Sequence, residues 1–268
     1  MIPKMIHQTW KTTTIPDNWK SAVQSCKSVH PDYKHILWTH ETMAEFIKNE
    51  YNFFYDTYKS YKYDIQRCDA FRYFVLYKYG GIYLDMDIVC KTKLDSLLSY
   101  DLVLSRSSNV KVSYTNSFFM SIPNHPFFKH CINNLSLTVN RFYYLGKHIH
   151  IMSSTGPFFL SKMIKNYGKI PNLYLLDTNE FAGDCNVCNE TTCKGGVYFK
   201  HIVGNSWHSF DSTLYNFSMC NYKKIIIILC LVLILFIPYF NYKKIRLGIK
   251  RLHTYKKHNS KHSMNDKK

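Results

Sequence analysis

From Tyr63 to Cys90 the chain reads YDIQRCDAFRYFVLYKYGGIYLDMDIVC, and no other stretch constrains the fold as tightly. Its first part carries Ile65, Ala70, Phe71, Phe74, Val75 and Tyr77 at helical spacing, with no Gly or Pro inside, which predicts an amphipathic helix. Gly80-Gly81 follow. Glycine takes the positive φ of a left-handed helix cap without steric cost, so the pair marks a stop. Ile82 to Val89 then predicts a strand. Alternation places Ile82, Leu84, Met86 and Ile88 on one face and Tyr83, Asp85, Asp87 and Val89 on the other. Short apolar strands are also predicted at His35 to Thr39 and Leu102 to Ser105, between helical segments. The fold class this implies is α/β, a sandwich around a mainly parallel sheet.

Asp85 and Asp87, two residues apart on one strand face, would repel one another, and one would take up a proton unless a cation neutralised the pair. A divalent cation does this: Mg²⁺ or Mn²⁺ accepts one or two carboxylates, and diphosphate oxygens complete the shell. A strand end emerging into water, with both aspartates hydrated, is the competing reading, and a bare Asp-x-Asp fits it as well. Asp69 and Arg72 add context. Three apart, they share a helix face, and the glycine turn brings that face towards the edge where the aspartates emerge. Arg suits a phosphate and Asp suits sugar hydroxyls. Against this stands an ordinary surface ion pair.

The net charge of +17 is unevenly spread. Residues 1–222 hold 23 basic and 17 acidic side chains, whereas residues 223–268 hold 12 basic and one acidic. A nucleic-acid-binding domain would carry its basic face within the fold, so that class is excluded. With 46% hydrophobic and 16% aromatic residues, the chain is also too apolar for disorder. The run from Ile225 to Phe240, IIIILCLVLILFIPYF, is uncharged and flanked by Lys223-Lys224 and Lys243-Lys244. With Asn241 and Tyr242 the uncharged stretch is 18 residues, near the lower limit for a spanning helix. A buried core helix competes, but the lysine pairs favour membrane insertion, with Tyr239 and Tyr242 in the interfacial belt and the basic tail cytosolic. Residues 1–221 are expected to form one catalytic domain, 222–242 the span and 243–268 a disordered tail. The catalytic domain would then be lumenal, in Golgi or ER, although Met1-Ile-Pro-Lys runs into mixed polar sequence without a signal peptide pattern.

Cys185, Cys188 and Cys193 cluster, with Cys220 further on. No second pair follows at zinc-knuckle spacing, so lumenal disulfides are expected there. Cys26, Cys68, Cys90 and Cys131 lie in apolar contexts and read as small core residues. The sequons at Asn134, Asn189 and Asn216 are no more than this composition yields by chance.

Asp69-Ala-Phe-Arg72, followed by Leu76-Tyr-Lys-Tyr-Gly80-Gly81-Ile-Tyr-Leu-Asp85-Met-Asp87, resembles the signature of the glycosyltransferases with a DXD sugar-binding motif (glycosyltransferase family 32). The opening Ile2 to Lys11 is similar to that family's first strand. Lys93 to Leu98, Asn116, Pro123 to Phe127, Ser154-Thr-Gly156-Pro157 and Gly204-Asn-Ser206-Trp207-His208 appear in matching order, so the likeness covers roughly residues 2–210. Ser154-Thr-Gly-Pro-Phe-Phe-Leu-Ser161, Ser206-Trp-His208 and the apolar span are most similar to the inositol phosphorylceramide mannosyltransferase branch. The resemblance implies a GT-A-like nucleotide-sugar-binding fold and a retaining, metal-dependent transferase. Its donor would be a nucleotide sugar such as GDP-mannose. Its acceptor would be a lipid such as inositol phosphorylceramide, or a glycan, at the membrane. It also implies roles: Asp85 and Asp87 hold Mn²⁺ or Mg²⁺ with His208 as a further ligand, Asp69 and Arg72 bind donor sugar and phosphate, and Trp10 stacks on the base. Asn116 contacts the donor sugar, and Ser206 and Trp207 close over the diphosphate. Trp10 and Trp207 also read as core aromatics, and His7 and His201 have no independent claim to catalysis.

Two other classes compete. A metal-dependent phosphotransferase or nucleotidyltransferase would use the same carboxylates. A non-catalytic, membrane-anchored module would use the Cys185 to Cys193 knob instead.

Overall fold

The computed structural model describes residues 1–107, 114–182, 188, 195–202 and 206–265; in the last helix it gives backbone alone at 235, 237–241, 243–244 and 248–265. Along the chain run β1 (Met5–Thr9), α1 (Asp17–Val29), β2 (Lys34–Trp38), α2 (His40–Glu50), α3 (Asn52–Ser60), α4 (Asp64–Tyr79), β3 (Gly81–Leu84), β4 (Ile88–Cys90), β5 (Leu102–Arg106) and β6 (Tyr114–Ser121). Then come α5 (Pro126–Leu135), α6 (Lys147–Ser154), α7 (Pro157–Tyr167), β7 (Leu173–Leu176), α8 (Thr178–Phe181), β8 (Phe199–His201) and α9 (Phe210–Asn265). Six strands form one sheet in the order β2-β1-β3-β6-β5-β7. β1 is parallel to β2 and β3, and β5 to β7, while β6 runs antiparallel to both of its neighbours. This is the α/β sheet expected from the sequence, mainly parallel with one reversed strand.

Strand alternation divides the interior into two apolar layers. Tyr83, Phe119 and Leu104 face one layer with α2, α4, α5 and α7. Ile82, Leu84, Phe118, Met120 and Val103 face the other with α1 and α8. Both sheet faces are covered, as parallel strands require. Helix α4 departs from its predicted amphipathic character. Every residue from Cys68 to Leu76 is buried, Asp69 and Arg72 included. Strands β3 and β6 and helices α2, α3, α5 and α6 pack against it, so the helix at the centre of the chemistry has no solvent face over those turns.

Gly80 ends α4 with φ 63° and ψ −151°. The positive φ matches the sequence reading; the ψ is that of the mirror-extended region open essentially to glycine alone, not of a left-handed helical cap. A Cβ at Gly80 would stand 2.6 Å from the Pro123 nitrogen, and one at Gly81 (φ +87°) 2.6 Å from the Met5 carbonyl oxygen. Both glycines are therefore required by backbone conformation and by close approach.

The single strand expected from Ile82 to Val89 is two strands. Asp85 N–H still donates to Ser117 O at 2.9 Å, continuing the β3–β6 ladder, and Ile88 N–H then donates to Asp85 O at 3.3 Å and closes a turn. Beyond it β4 leaves the main sheet and pairs antiparallel with β8. The aspartates thus sit on a turn between two sheets, not on one strand face.

Cys26 and Cys90, read from sequence as small core thiols, are joined in a disulfide across 64 residues. The bond ties α1 to β4, the strand that leaves the aspartate turn. Cys68 and Cys131 are buried free thiols, as expected. Cys188 and Cys220 are each disulfide-bonded, in line with the reading of that cluster; Cys185 and Cys193 lie outside the described residues.

Two compact units are distinguished, Met1–Asn216 and Phe217–Lys268. In the second, the basic segment for which a disordered tail is expected continues as helix to Asn265. Among the described residues one helical segment, Phe210–Ile234, is long and apolar enough to cross a membrane, and its apolar 18-residue window is not buried in protein.

Candidate active site

Arg72 is the centre of the site. Its guanidinium lies 4.5 Å from the Tyr83 ring centroid. Nη2 stands 2.8 Å from Asp69 Oδ1 and 3.6 Å from Asp85 Oδ1, and Nη1 donates to the Asn116 carbonyl oxygen. Only 2% of its side chain is exposed, which rules out the surface ion pair that sequence spacing alone allowed. Burial works against the Arg72 charge, but Tyr83, Asp85 and Asp69 outweigh it and hold the group firmly protonated. Asp69 accepts from Asn116 Nδ2 at 2.9 Å and from Thr155 Oγ1 at 3.1 Å. Burial pushes its carboxyl up to about 6 against the pull of Arg72.

Tyr83 links the helix to the turn. Its hydroxyl donates to Asp85 Oδ1 at 2.9 Å and accepts from Thr9 Oγ1 at 2.9 Å. Sequence alternation put Tyr83 and Asp85 on one face, and in this respect it holds. Asp87 Oδ2 stands 3.6 Å from His201 Nε2. Burial pushes the Asp87 carboxyl up to about 6, with His201 pulling it down and Asp85 pushing it up. Sequence alone gives His201 no role; its pairing with Asp87 follows from β4 and β8 lying side by side, which no local pattern announces.

Asp85, Asp87 and Arg72 open onto a cleft of about 380 Å³, lined also by Trp10, Ser206 and Trp207. Trp10 packs edge-on against Trp19 with ring centroids 4.7 Å apart. Trp207 stacks on His148 at 5.2 Å. Asp69 and Asn116 do not line the cleft; they lie behind Arg72 and hold it. His208 packs edge-on against Trp207 at 4.5 Å and lies outside the cleft lining. The cleft is also lined by Lys11, Lys62, Tyr63 and Lys147, which sequence reasoning did not single out. His7 is a structural residue. Its Nε2 donates to Gly80 O at 3.1 Å, and its Nδ1 accepts from Trp38 Nε1 at 3.1 Å.

The residues fit a divalent cation at the aspartate turn in one respect: Asp87 Oδ1 is buried and has no hydrogen-bond partner among the described residues. Such an oxygen is costly unless something occupies its lone pairs. Among the described residues no three His, Cys, Asp or Glu side chains converge as a metal site, His208 included. The chain therefore offers two carboxylates, the number with which Mg²⁺ is commonly held beside substrate phosphates.

Residues 16–104 match the model of the glycosyltransferase sugar-binding region containing the DXD motif. Inositol phosphoceramide mannosyltransferase 1 of Schizosaccharomyces pombe is 36% identical over 230 residues, 84% of this chain and 68% of that protein. The chain belongs to the DXD glycosyltransferase family. Mannosyl phosphorylinositol ceramide synthase SUR1 of Saccharomyces cerevisiae is 42% identical over 216 residues, 80% of this chain and 54% of the relative. The chain thus spans little more than half the length of that curated family member. Among solved structures, the UDP-bound glycosyltransferase domain from the YGT toxin superposes with a TM-score of 0.51 at 9% identity, over 65% of this chain and 79% of that one. At that identity the likeness concerns the fold alone, and it agrees with the GT-A-like class expected for this DXD family.

Proposed function

We propose that the chain is a membrane-attached, metal-dependent retaining glycosyltransferase that moves a hexose, mannose from GDP-mannose in the first instance, to inositol phosphorylceramide or a related glycan. The observation that carries this reading is the convergence of Arg72, Asp85 and Asp87 on one cleft, with a buried Asp87 oxygen that has no partner among the described residues. The names of the mannosyltransferase relatives support the sugar and the acceptor. The apolar segment Phe210–Ile234 supports attachment at a bilayer, and the Cys26–Cys90 disulfide supports an oxidising, lumenal setting such as Golgi or ER.

Asp85 and Asp87 would hold Mn²⁺ or Mg²⁺, which as a Lewis acid neutralises charge on the departing diphosphate. Arg72 supplies a fixed positive charge beside the same carboxylates, already oriented by Asp69 and Asn116, so no reorganisation is needed as charge develops. Trp10, braced by Trp19, offers a ring face for the nucleobase. Ser206 and Trp207 close the cleft over the donor. Asp69 acts as a positioning residue for Arg72.

A panel of radiolabelled nucleotide sugars, with Mn²⁺ and lipid acceptors in vesicles, tests the reading. Sugar transfer is expected with GDP-mannose, and phosphate or nucleotide on the product would assign the cleft to another class. Asp87→Asn is expected to abolish transfer while the protein stays folded. Undiminished transfer in that variant, or in excess chelator, would remove the metal role.

A further inference from the structure

Lys62 and Lys147 converge on one ring. Each Nζ lies 5.5 Å from the centroid of Tyr63, and all three residues line the cleft that holds Asp85 and Asp87. Lysines elsewhere find carboxylates, as Lys4 does at Asp32 and Lys78 at Glu50. Among the described residues neither Lys62 nor Lys147 has an acidic partner, and Asp64, the nearest acid in sequence, is taken by Arg67. The residue that carries the ring is held through its backbone. Tyr63 N–H donates to Gln66 Oε1 at 3.1 Å, and buried Gln66 donates to Ser154 Oγ at 2.7 Å. Two cationic side chains that each reach the same tyrosine ring, with no acidic partner among the described residues, raise the local concentration of anions. Lysine meets phosphate as a point charge with rotatable donors.

The surroundings indicate where that phosphate comes from. Lys147 follows Tyr143, Tyr144 and Leu145, which are 67%, 68% and 54% exposed. Arg141 lies over the Phe142 ring at 5.0 Å. No acidic residue stands between Asp101 and Asp177 in the sequence. Exposed aromatic tips next to Arg141 and Lys147 have the composition of a bilayer interface. The strip is fixed to the start of α9, where Asp211 Oδ2 accepts from His148 N–H at 2.6 Å.

We propose that Lys62, Tyr63 and Lys147 form an anion subsite that holds the phosphodiester of a lipid headgroup at the cleft, and so selects a phosphate-bearing acceptor. Calling that ligand an acceptor rests on the glycosyltransferase reading of the cleft; the anion subsite does not.

The test measures equilibrium binding of glycerophosphoinositol, myo-inositol and GDP with Mn²⁺ to the full chain in non-ionic detergent. The variants are Lys62→Gln/Lys147→Gln and the charge-preserving Lys62→Arg/Lys147→Arg. The glutamine pair is expected to weaken glycerophosphoinositol binding by about tenfold or more and GDP binding by less than about threefold, while the arginine pair stays near wild type. Equal losses for both ligands would assign the lysines to the donor diphosphate and overturn the proposal. So would unchanged glycerophosphoinositol binding, or equally tight binding of phosphate-free myo-inositol. Binding of glycerophosphoinositol by a wild-type chain that turns over no nucleotide sugar would leave the subsite standing and remove the transferase reading. Sugar transfer by a chain that does not bind it would do the reverse.

Discussion

Arg72 Nη2 lies 3.6 Å from Asp85 Oδ1, across the junction between a fully buried helical segment and the turn that follows β3. The guanidinium is held from behind by Asp69 and approached from the front by the cleft carboxylate. This makes the interior of the protein continuous with its chemistry: whatever disturbs the packing of α4 also moves the charge that the cleft presents.

Asp69 is accordingly predicted to matter for stability before it matters for substrate. Asp69→Ala would leave a buried guanidinium short of its closest carboxylate, at a cost of about 3–5 kcal/mol. Chemical denaturation measures it. The double variant Asp69→Ala/Arg72→Met is expected to recover part of the loss, because it removes the stranded charge as well as its partner.

The Cys26–Cys90 bond closes a long loop and holds β4 against α1. Substituting both cysteines with serine is expected to lower stability by about 2–5 kcal/mol. The same variant should weaken nucleotide-sugar turnover, since β4 fixes the exit of the Asp85–Asp87 turn. Denaturation curves with and without reductant check the first effect, and steady-state kinetics the second.

At Gly81, an added Cβ would meet the Met5 carbonyl oxygen at 2.6 Å with φ at +87°. The backbone conformation alone costs a side chain about 1–2 kcal/mol, and the collision with β1 adds to it. Gly81→Ala is expected to lower the melting temperature by several degrees, roughly 4 or more. Gly168→Ala is the control: it also has positive φ, but nothing lies within 4 Å of its Cβ, so it should lose less.

His7 gives the fold a built-in acid sensitivity. Burial lowers its pKa from 6.5 to about 4, against the hydrogen bond to Gly80. The unfolded chain therefore binds a proton between pH 6.5 and 4 that the folded chain refuses, and stability falls as pH drops through that window. The shift corresponds to about 3 kcal/mol across it. In His7→Gln the slope of stability against pH between 6.5 and 4 should be visibly flatter, as followed by denaturation at several pH values. An unchanged slope would mean that other groups carry it.

Local sequence was enough for the helix from Asp64 to Tyr79, the glycine stop, the start of the following strand and the acidic and basic side chains that line the cleft. Each of these depends on neighbours within a few residues: helical spacing, positive φ at glycine, alternation along a strand. It also placed Tyr83 beside Asp85, because that pair lies within one pleat.

What the sequence could not supply was decided by contacts between distant segments. The burial of Asp69 and Arg72 comes from strands β3 and β6 and from the helices packed against α4, which periodicity along α4 does not record. The aspartates left their expected strand because β4 found its partner in β8, more than a hundred residues on. Cys26 met Cys90 only once α1 lay against β4, and Lys147 met the Tyr63 ring only when α6 was brought beside the start of α4. Short-range preferences are fixed by covalent geometry and can be read from a few residues. Which charges face one another across a cleft depends on how the whole chain closes around its two apolar layers.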